Sequence, residues 1–210
     1  MAKLPNGILG GIRGRVGPVV GTKWKGIEVI RARPAVKRRR STEQQLGQMS
    51  RLSIMTTFIA PLSDFLNSTY KAVFMSCFNK SLSYNMRNAI DGDYPSFRIS
   101  YKRFVLGVGD LLNVENPVIS SVSKGNLTIH WNDNSNEGSA RASDQLFVAV
   151  YCEDSRIWRA ELEGPKRNAG SYTLDVSAFS GKAVHAYLGF LSADAKFVTT
   201  SLYTGSIHIL

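Results

Sequence analysis

Cysteine is scarce in this 210-residue chain: only Cys77 and Cys152 occur, far apart and in no metal-ligand or redox spacing. A disulfide framework is not expected, although a single bridge between the two is compatible with the sequence, and a reducing compartment fits best. Histidine is scarcer than in most metal sites. His130, His185 and His208 lie on separate strand-like runs, and no pair has ligand spacing. Each is expected in a structural or surface role, and no metal is expected. Long apolar runs are also missing; none approaches the roughly 20 residues that span a bilayer. The opening Met1-Ala-Lys-Leu-Pro-Asn-Gly7 lacks the apolar core of a signal peptide. These absences predict a protein with no membrane span and no signal peptide, cytoplasmic or carried within an assembled particle.

One further scarcity organises the rest. The first 40 residues contain a single acid, Glu28, against eleven cations: Lys3, Arg13, Arg15, Lys23, Lys25, Arg31, Arg33, Lys37, Arg38, Arg39 and Arg40. That segment carries a net charge of +10, as does the whole chain, so residues 41–210 are neutral overall. It also holds seven of the 18 glycines. The rest of the composition, 43% hydrophobic and 20% charged, is that of a globular protein able to bury about 70% of its unfolded surface.

Taken in order, Gly7, Gly10, Gly11 and Gly14 favour turns or close backbone approach over helix. Their four-residue spacing matches a membrane helix-dimer pattern, but Arg13, Arg15 and Pro18 in the same run exclude it. Two β-branched runs around Lys25-Gly26 predict a β-hairpin. Alternation of Lys23, Lys25, Arg31 and Arg33 with Trp24, Ala32 and the Val/Ile positions predicts one basic and one apolar face. Ser41 or Thr42, each with Gln three residues on, predicts a helix start. Leu46, Met49, Leu52, Met55, Phe58 and Ile59 follow at helical spacing up to Pro61. A second helical run extends from Ser63 or Asp64 through Phe65, Leu66, Tyr70, Val73, Phe74, Cys77 and Phe78, with a break near Asn79. It continues to Asp91-Gly92.

From Tyr94 the period becomes two. Phe97–Tyr101 and Phe104–Leu106 read as strands. Eight more follow: 118–122, 127–131, 145–152, 157–162, 172–176, 184–191, 197–203 and 207–210. Short strands at this spacing predict an antiparallel sandwich. Leu127-Thr-Ile-His-Trp131 resembles the second strand of fibronectin type III and related immunoglobulin-like domains, with its buried Trp. Residues 184–191 and 197–203 resemble their last two strands. The expected fold is α+β. It comprises a glycine-rich basic arm (1–40), a helical hairpin (41–93), linking strands (94–116) and an immunoglobulin-like β-sandwich (117–210).

No catalytic or cofactor-binding constellation emerges. Gly11, Gly14 and Gly17 fit neither the dinucleotide fingerprint nor a P-loop, and no helix follows at once. Ser121-Val-Ser-Lys124 has the serine–lysine spacing of some acyl enzymes without the companion motifs. Asp91-Gly-Asp93 lacks the rest of a calcium loop. Glu153-Asp154 and Glu161/Glu163 make no case for a catalytic pair. Cys77 is expected to be buried and inert.

The arm has three readings: a solvated face, docking on a protein subunit, or contact with a polyanion through its cations and a stacking Trp24. Glycine density and hydrophobic alternation point to docking, because phosphate binding alone does not require them. The expected function is therefore a non-enzymatic structural or assembly protein, of the virion or particle type, whose arm residues listed by charge above, with Trp24, contact self or other subunits. The alternative is a nucleic-acid-binding protein using the same arm. No small-molecule substrate is evident.

The run Gly11-Ile-Arg-Gly-Arg-Val-Gly-Pro-Val-Val-Gly-Thr-Lys-Trp-Lys-Gly26 is distinctive. It is accompanied by Val29-Ile-Arg31, Ser41-Thr-Glu-Gln-Gln45, Phe58-Ile-Ala-Pro-Leu62, Asn88-Ala-Ile90, Tyr94-Pro95 and Gly109-Asp-Leu-Leu112. Together they resemble a family common in Bacteroidota known as domain of unknown function 6266, over essentially the whole chain. Arg13 and Arg15 stand where Ser and Lys are common, and Lys37–Arg40 is more basic than usual. The resemblance implies the architecture and leaves the activity open.

Overall fold

The computed structural model describes residues 10–33, 40–71 and 75–210. Met1–Thr42 and Glu43–Leu210 form separate compact units. The first is a three-stranded antiparallel sheet of β1 (Gly14–Val16), β2 (Val19–Trp24) and β3 (Ile27–Ala32), in that order. One more strand is present than the hairpin reading required.

The second unit begins with α1 (Glu43–Ile59), directly after the capping signal at Ser41/Thr42 and with Glu43 in its first turn. Its apolar positions do not share one face. Met55, Phe58 and Ile59 are buried, whereas Leu46, Met49 and Leu52 are exposed. Steps of three residues fall about 60° short of a full turn, so the stripe winds round the helix. A single 3₁₀ turn at Ala60–Leu62 carries Pro61, and α2 (Ser63–Thr69) follows.

The second helical run ends sooner than its periodicity predicts. Tyr70 is extended, at φ −117° and ψ 135°. A new helix, α3 (Cys77–Asn88), starts where the Ser76 side chain accepts a hydrogen bond from the Asn79 amide at 3.2 Å. The break therefore precedes Cys77 instead of falling near Asn79; Val73 and Phe74 lie outside the described residues. Strands β4 (Ile90–Asp91) and β5 (Arg98–Ile99) form a short hairpin.

Phe104–Leu106, expected as a strand, joins no ladder. Buried side chains take the place of a neighbouring strand. The Asn85 amide oxygen accepts from Val105 N at 3.0 Å and its nitrogen donates to Val105 O at 2.9 Å. Ser201 Oγ accepts from Leu106 N at 2.7 Å, and Thr69 Oγ1 donates to Leu106 O at 2.6 Å. The backbone requirement for partners is met without a sheet.

The C-terminal part is a two-sheet sandwich. One sheet has β6 (Val118–Ser120), β7 (Asn126–His130) and β10 (Ser171–Asp175), in the order β10-β7-β6. The other has β8 (Gln145–Cys152), β9 (Ile157–Glu161), β11 (Ala183–Leu191) and β12 (Leu202–His208), in the order β12-β11-β8-β9. Every pairing is antiparallel. The order is that of an immunoglobulin-like fold, with first, second and fifth strands in one sheet and the remaining four in the other. The two strands expected at 197–203 and 207–210 are replaced by the single β12. Thr199 instead bridges to Asp110 and Leu111, and its amide donates to Phe190 O at 2.9 Å.

The strand β8 explains how the helices and the sandwich hold together. Its side chains alternate between two cores. Leu146, Val148, Val150 and Cys152 face the sandwich interior with Trp131, Leu188 and Phe190. Phe147, Ala149 and Tyr151 face the other way, against Met55, Phe58, Leu66, Tyr70 and Phe104 from the helical segment. The molecule from Glu43 onward is thus three-layered, helices on sheet on sheet. Phe58 fixes the helical layer: its ring packs edge-on against Phe104, Tyr151 and Trp158 at 4.9, 4.8 and 5.0 Å, and its carbonyl accepts from Trp158 Nε1 at 2.9 Å. Gly189 permits this closeness on β11, since a Cβ there would collide with the Phe147 ring and the Thr199 hydroxyl.

At one end of the sandwich Arg167 is fully buried. Its guanidinium lies 3.1 Å from Asp144, donates to Asn134 Oδ1 at 2.8 Å and to Leu112 O at 2.9 Å, and stacks 4.2 Å from the Phe190 ring centre. Burial pushes its pKa down and Asp144 opposes that shift. One charge pair thereby ties the 132–144 loop to the sheet ends.

Candidate functional site

The N-terminal sheet is built by its turns. Lys25 and Gly26 both have positive φ, 47° and 89°, which matches the type I′ turn favoured between two twisted strands. Gly17, at φ 54°, precedes Pro18 in the position that a type II′ turn reserves for glycine. Gly21 is the one buried residue of β2, and a Cβ there would strike the main chain of Ile12. Gly11 lies under the Glu28 carboxylate with no room for a side chain. Both glycines let the chain before β1 lie flat across the sheet.

The register corrects the expected segregation into a basic and an apolar face. A two-residue turn pairs odd residues of β2 with even residues of β3. Trp24 pairs with Ile27, Thr22 with Val29, and Val20 with both Arg15 and Arg31. Arg15 and Arg31 therefore share a face with Trp24, while Lys23 stands on the other face opposite Glu28. Lys25 is in the turn, with its ammonium 5.3 Å from the Trp24 ring centre. Arg13, Arg15, Lys23, Lys25, Arg31, Arg33 and Arg40 are all exposed. Lys37, Arg38 and Arg39, the remaining cations of the predicted contact set, lie outside the described residues.

Apolar groups are exposed on both faces as well: Trp24 is 63%, Ile27 64% and Ile30 60% accessible. The sheet thus satisfies its backbone and leaves its large side chains uncovered. A shallow basin of about 580 Å³ also opens beside β2, lined by Arg13, Gly14, Gly21, Thr22, Lys23 and Gly26. Two cations there flank glycines whose backbone a small anion could approach closely.

The other candidate groups are engaged structurally. His130 and His208 are exposed. The His185 ring stacks on Tyr101 with centroids 4.0 Å apart, and its Nδ1 is 2.9 Å from the Tyr203 hydroxyl. Burial pushes its pKa down, and Glu153, 3.8 Å from Nε2, opposes the shift. Cys77 is half-buried and donates its thiol to Tyr70 O at 2.9 Å, while Cys152 is buried; both are free thiols. Ser121 Oγ donates to Asn126 O at 3.0 Å and accepts from Leu210 N at 3.1 Å. Asp91 pairs with Arg103. Among the described residues, no group of three or more His, Cys, Asp or Glu could hold a metal ion.

One feature escaped the linear reading. A cleft of about 660 Å³ opens between the helical layer and the end of the four-stranded sheet. Phe58, Phe97, Tyr101 and Tyr151 line it, and Glu153, Arg98 and Arg156 stand at its edge. Its residues come from three separated segments, so no local motif announces it. Tyr101 is held by its stack on His185 and by Tyr187, whose hydroxyl donates to Tyr101 O at 2.8 Å.

The strand order and buried Trp131 define the second unit as a fibronectin type III-like sandwich with a helical layer on one sheet. Two human domains are similar to it. The fn3 domain of the collagen alpha-1(XX) chain matches at 10% identity and TM-score 0.37, covering 49% of this chain and 89% of that domain. The fn3 domain of contactin 1 matches at 6% identity and TM-score 0.35, covering 49% and 82%. The chain belongs to the family of unknown function DUF6266, whose pattern it matches over residues 11–205. No curated protein matches it by sequence.

Proposed function

We propose that this is a non-enzymatic structural or assembly protein whose N-terminal sheet contacts a neighbouring protein subunit. The observation that carries the reading is the uncovered apolar surface of a sheet that folds its own backbone: Trp24, Ile27 and Ile30 are each 60% or more accessible. A small sheet without a covered face gains its stability on meeting another surface. The +10 charge of residues 1–40 adds electrostatic steering toward a partner of opposite sign. In this role the protein works in the cytoplasm or within an assembled particle, such as a virion. No described helix is long and apolar enough to cross a membrane. The test is sedimentation velocity over a wide concentration range for the full chain and for a variant lacking residues 1–40. The full chain self-associates or enters particles and the truncated chain does not. A full chain that stays monomeric and is unaltered by the deletion, in sizing and in particle incorporation, removes the reading.

The basin around Arg13 and Lys23 favours a second reading, contact with the phosphates of a nucleic acid. It predicts binding that weakens steeply with salt and is relieved by neutralising Arg38, Arg39 and Arg40. Salt-independent binding to a labelled oligonucleotide, or none, eliminates it.

A further inference from the structure

We infer that the aromatic cleft on the second unit is the receptor for the Trp24–Ile27 hairpin tip of another copy of this chain. The inference rests on the assembly reading above and names its receptor.

The cleft is preformed. Phe58 is locked by the three rings around it, and Tyr101 by His185 and the Tyr187 hydroxyl. Little ordering is left for binding to accomplish. Its size, about 660 Å³, lies within the range of pockets that take ring-sized groups. Its aromatic lining favours an aromatic occupant, which gains edge and face contacts beyond simple burial.

The hairpin tip presents such an occupant. Trp24 and Ile27 stand directly opposite each other beside the Lys25-Gly26 turn, so both enter a cleft together. Tryptophan in a pocket is the commonest kind of interface anchor. Charges match in both signs. Lys23 and Lys25 flank Trp24, and Glu153, 64% accessible at the side chain, stands at the cleft edge. Arg98 and Arg156 on the same edge suit Glu28, the arm's single acid. Leu46 lies two helical turns before Ser53 on the same side of α1, which extends the apolar surface beyond the cleft mouth.

The experiment uses full-length protein with exposed positions altered, so that folding is preserved and can be checked by thermal melting. Lys25→Glu and Glu153→Lys are each expected to weaken self-association by about tenfold or more, and the chain carrying both exchanges recovers a large part of it. Trp24→Ala weakens it further. In a Cys77→Ser background, a tagged Lys25→Cys copy mixed with an untagged Thr57→Cys copy forms a disulfide-linked heterodimer. If deletion of residues 1–40 dissociates the assembly but Glu153→Lys leaves it intact and no heterodimer forms, the arm docks elsewhere; the inference falls and the assembly reading stands. If Lys25 and Thr57 cysteines placed in one chain link only within that chain at all concentrations, the inference also falls. If the deletion changes nothing, both readings fall together.

Discussion

Arg167 and Asn85 show how much a single polar side chain can decide here. Arg167 is an ordinary basic residue in the linear sequence, preceded by Pro165-Lys166, yet it is fully buried and bonded to Asp144, Asn134 and Leu112 O. Removing one partner of such a pair strands the other charge. Arg167→Met is expected to lower unfolding free energy by about 3–5 kcal/mol in urea titrations, and Arg167→Met with Asp144→Leu to recover much of it. Equal losses in the single and double variants would show that the charge pair is not the reason. Asn85 acts through geometry: its amide serves both Val105 backbone groups. Asn85→Leu leaves both without that partner, at about 1–3 kcal/mol each. Asn85→Asp keeps the acceptor and loses the donor, so it falls between the two. An Asn85→Leu protein as stable as wild type would refute this account.

Among the elements, the N-terminal sheet depends on its turns. Gly26 sits at φ 89°, where a β-branched residue is strained. Gly26→Val is expected to speed amide exchange across residues 19–32 by about tenfold or more, through strain of about 1–3 kcal/mol. Exchange in β8 and β11 stays at its wild-type rate, because the sheet belongs to a separate compact unit. Slowing in β8 would contradict that independence. The parity of this same turn separates Lys23 from Arg31, although a strand-by-strand alternation places them together. The helices teach a similar lesson. The apolar positions of α1 were legible one by one, but which of them is buried depended on what the sheet covers.

For the whole molecule, the three-layered unit buries tyrosines between helices and sheet, and this makes its stability sensitive to alkali. Burial pushes the Tyr70 pKa up to about 12, and Tyr187 is also raised, chiefly by burial. A folded-state pKa above the unfolded value of about 10 favours the native state below that pH. The contribution is lost as pH rises through the folded pKa. The urea midpoint is therefore expected to fall between pH about 10 and about 12, and Tyr70→Phe, which keeps the ring and removes the proton, to flatten that decline. An unchanged slope in the variant would assign the effect elsewhere.

The sequence by itself determined what depends on near neighbours along the chain. Lys25-Gly26 between β-branched runs specified a hairpin, alternation specified most strands, and the confinement of net charge to residues 1–40 marked the contact segment. These signals are local because turn chemistry, strand period and helix capping act over a few residues. Tertiary structure alone decided the rest. It made β8 a strand with two cores, replaced a ladder at Val105 with the Asn85 amide, buried Arg167 and assembled the aromatic cleft. Those features join residues tens of positions apart, such as Phe58 with Trp158 and Asn85 with Val105. Their energetics follow from burial and partner geometry, which exist only once the layers have packed.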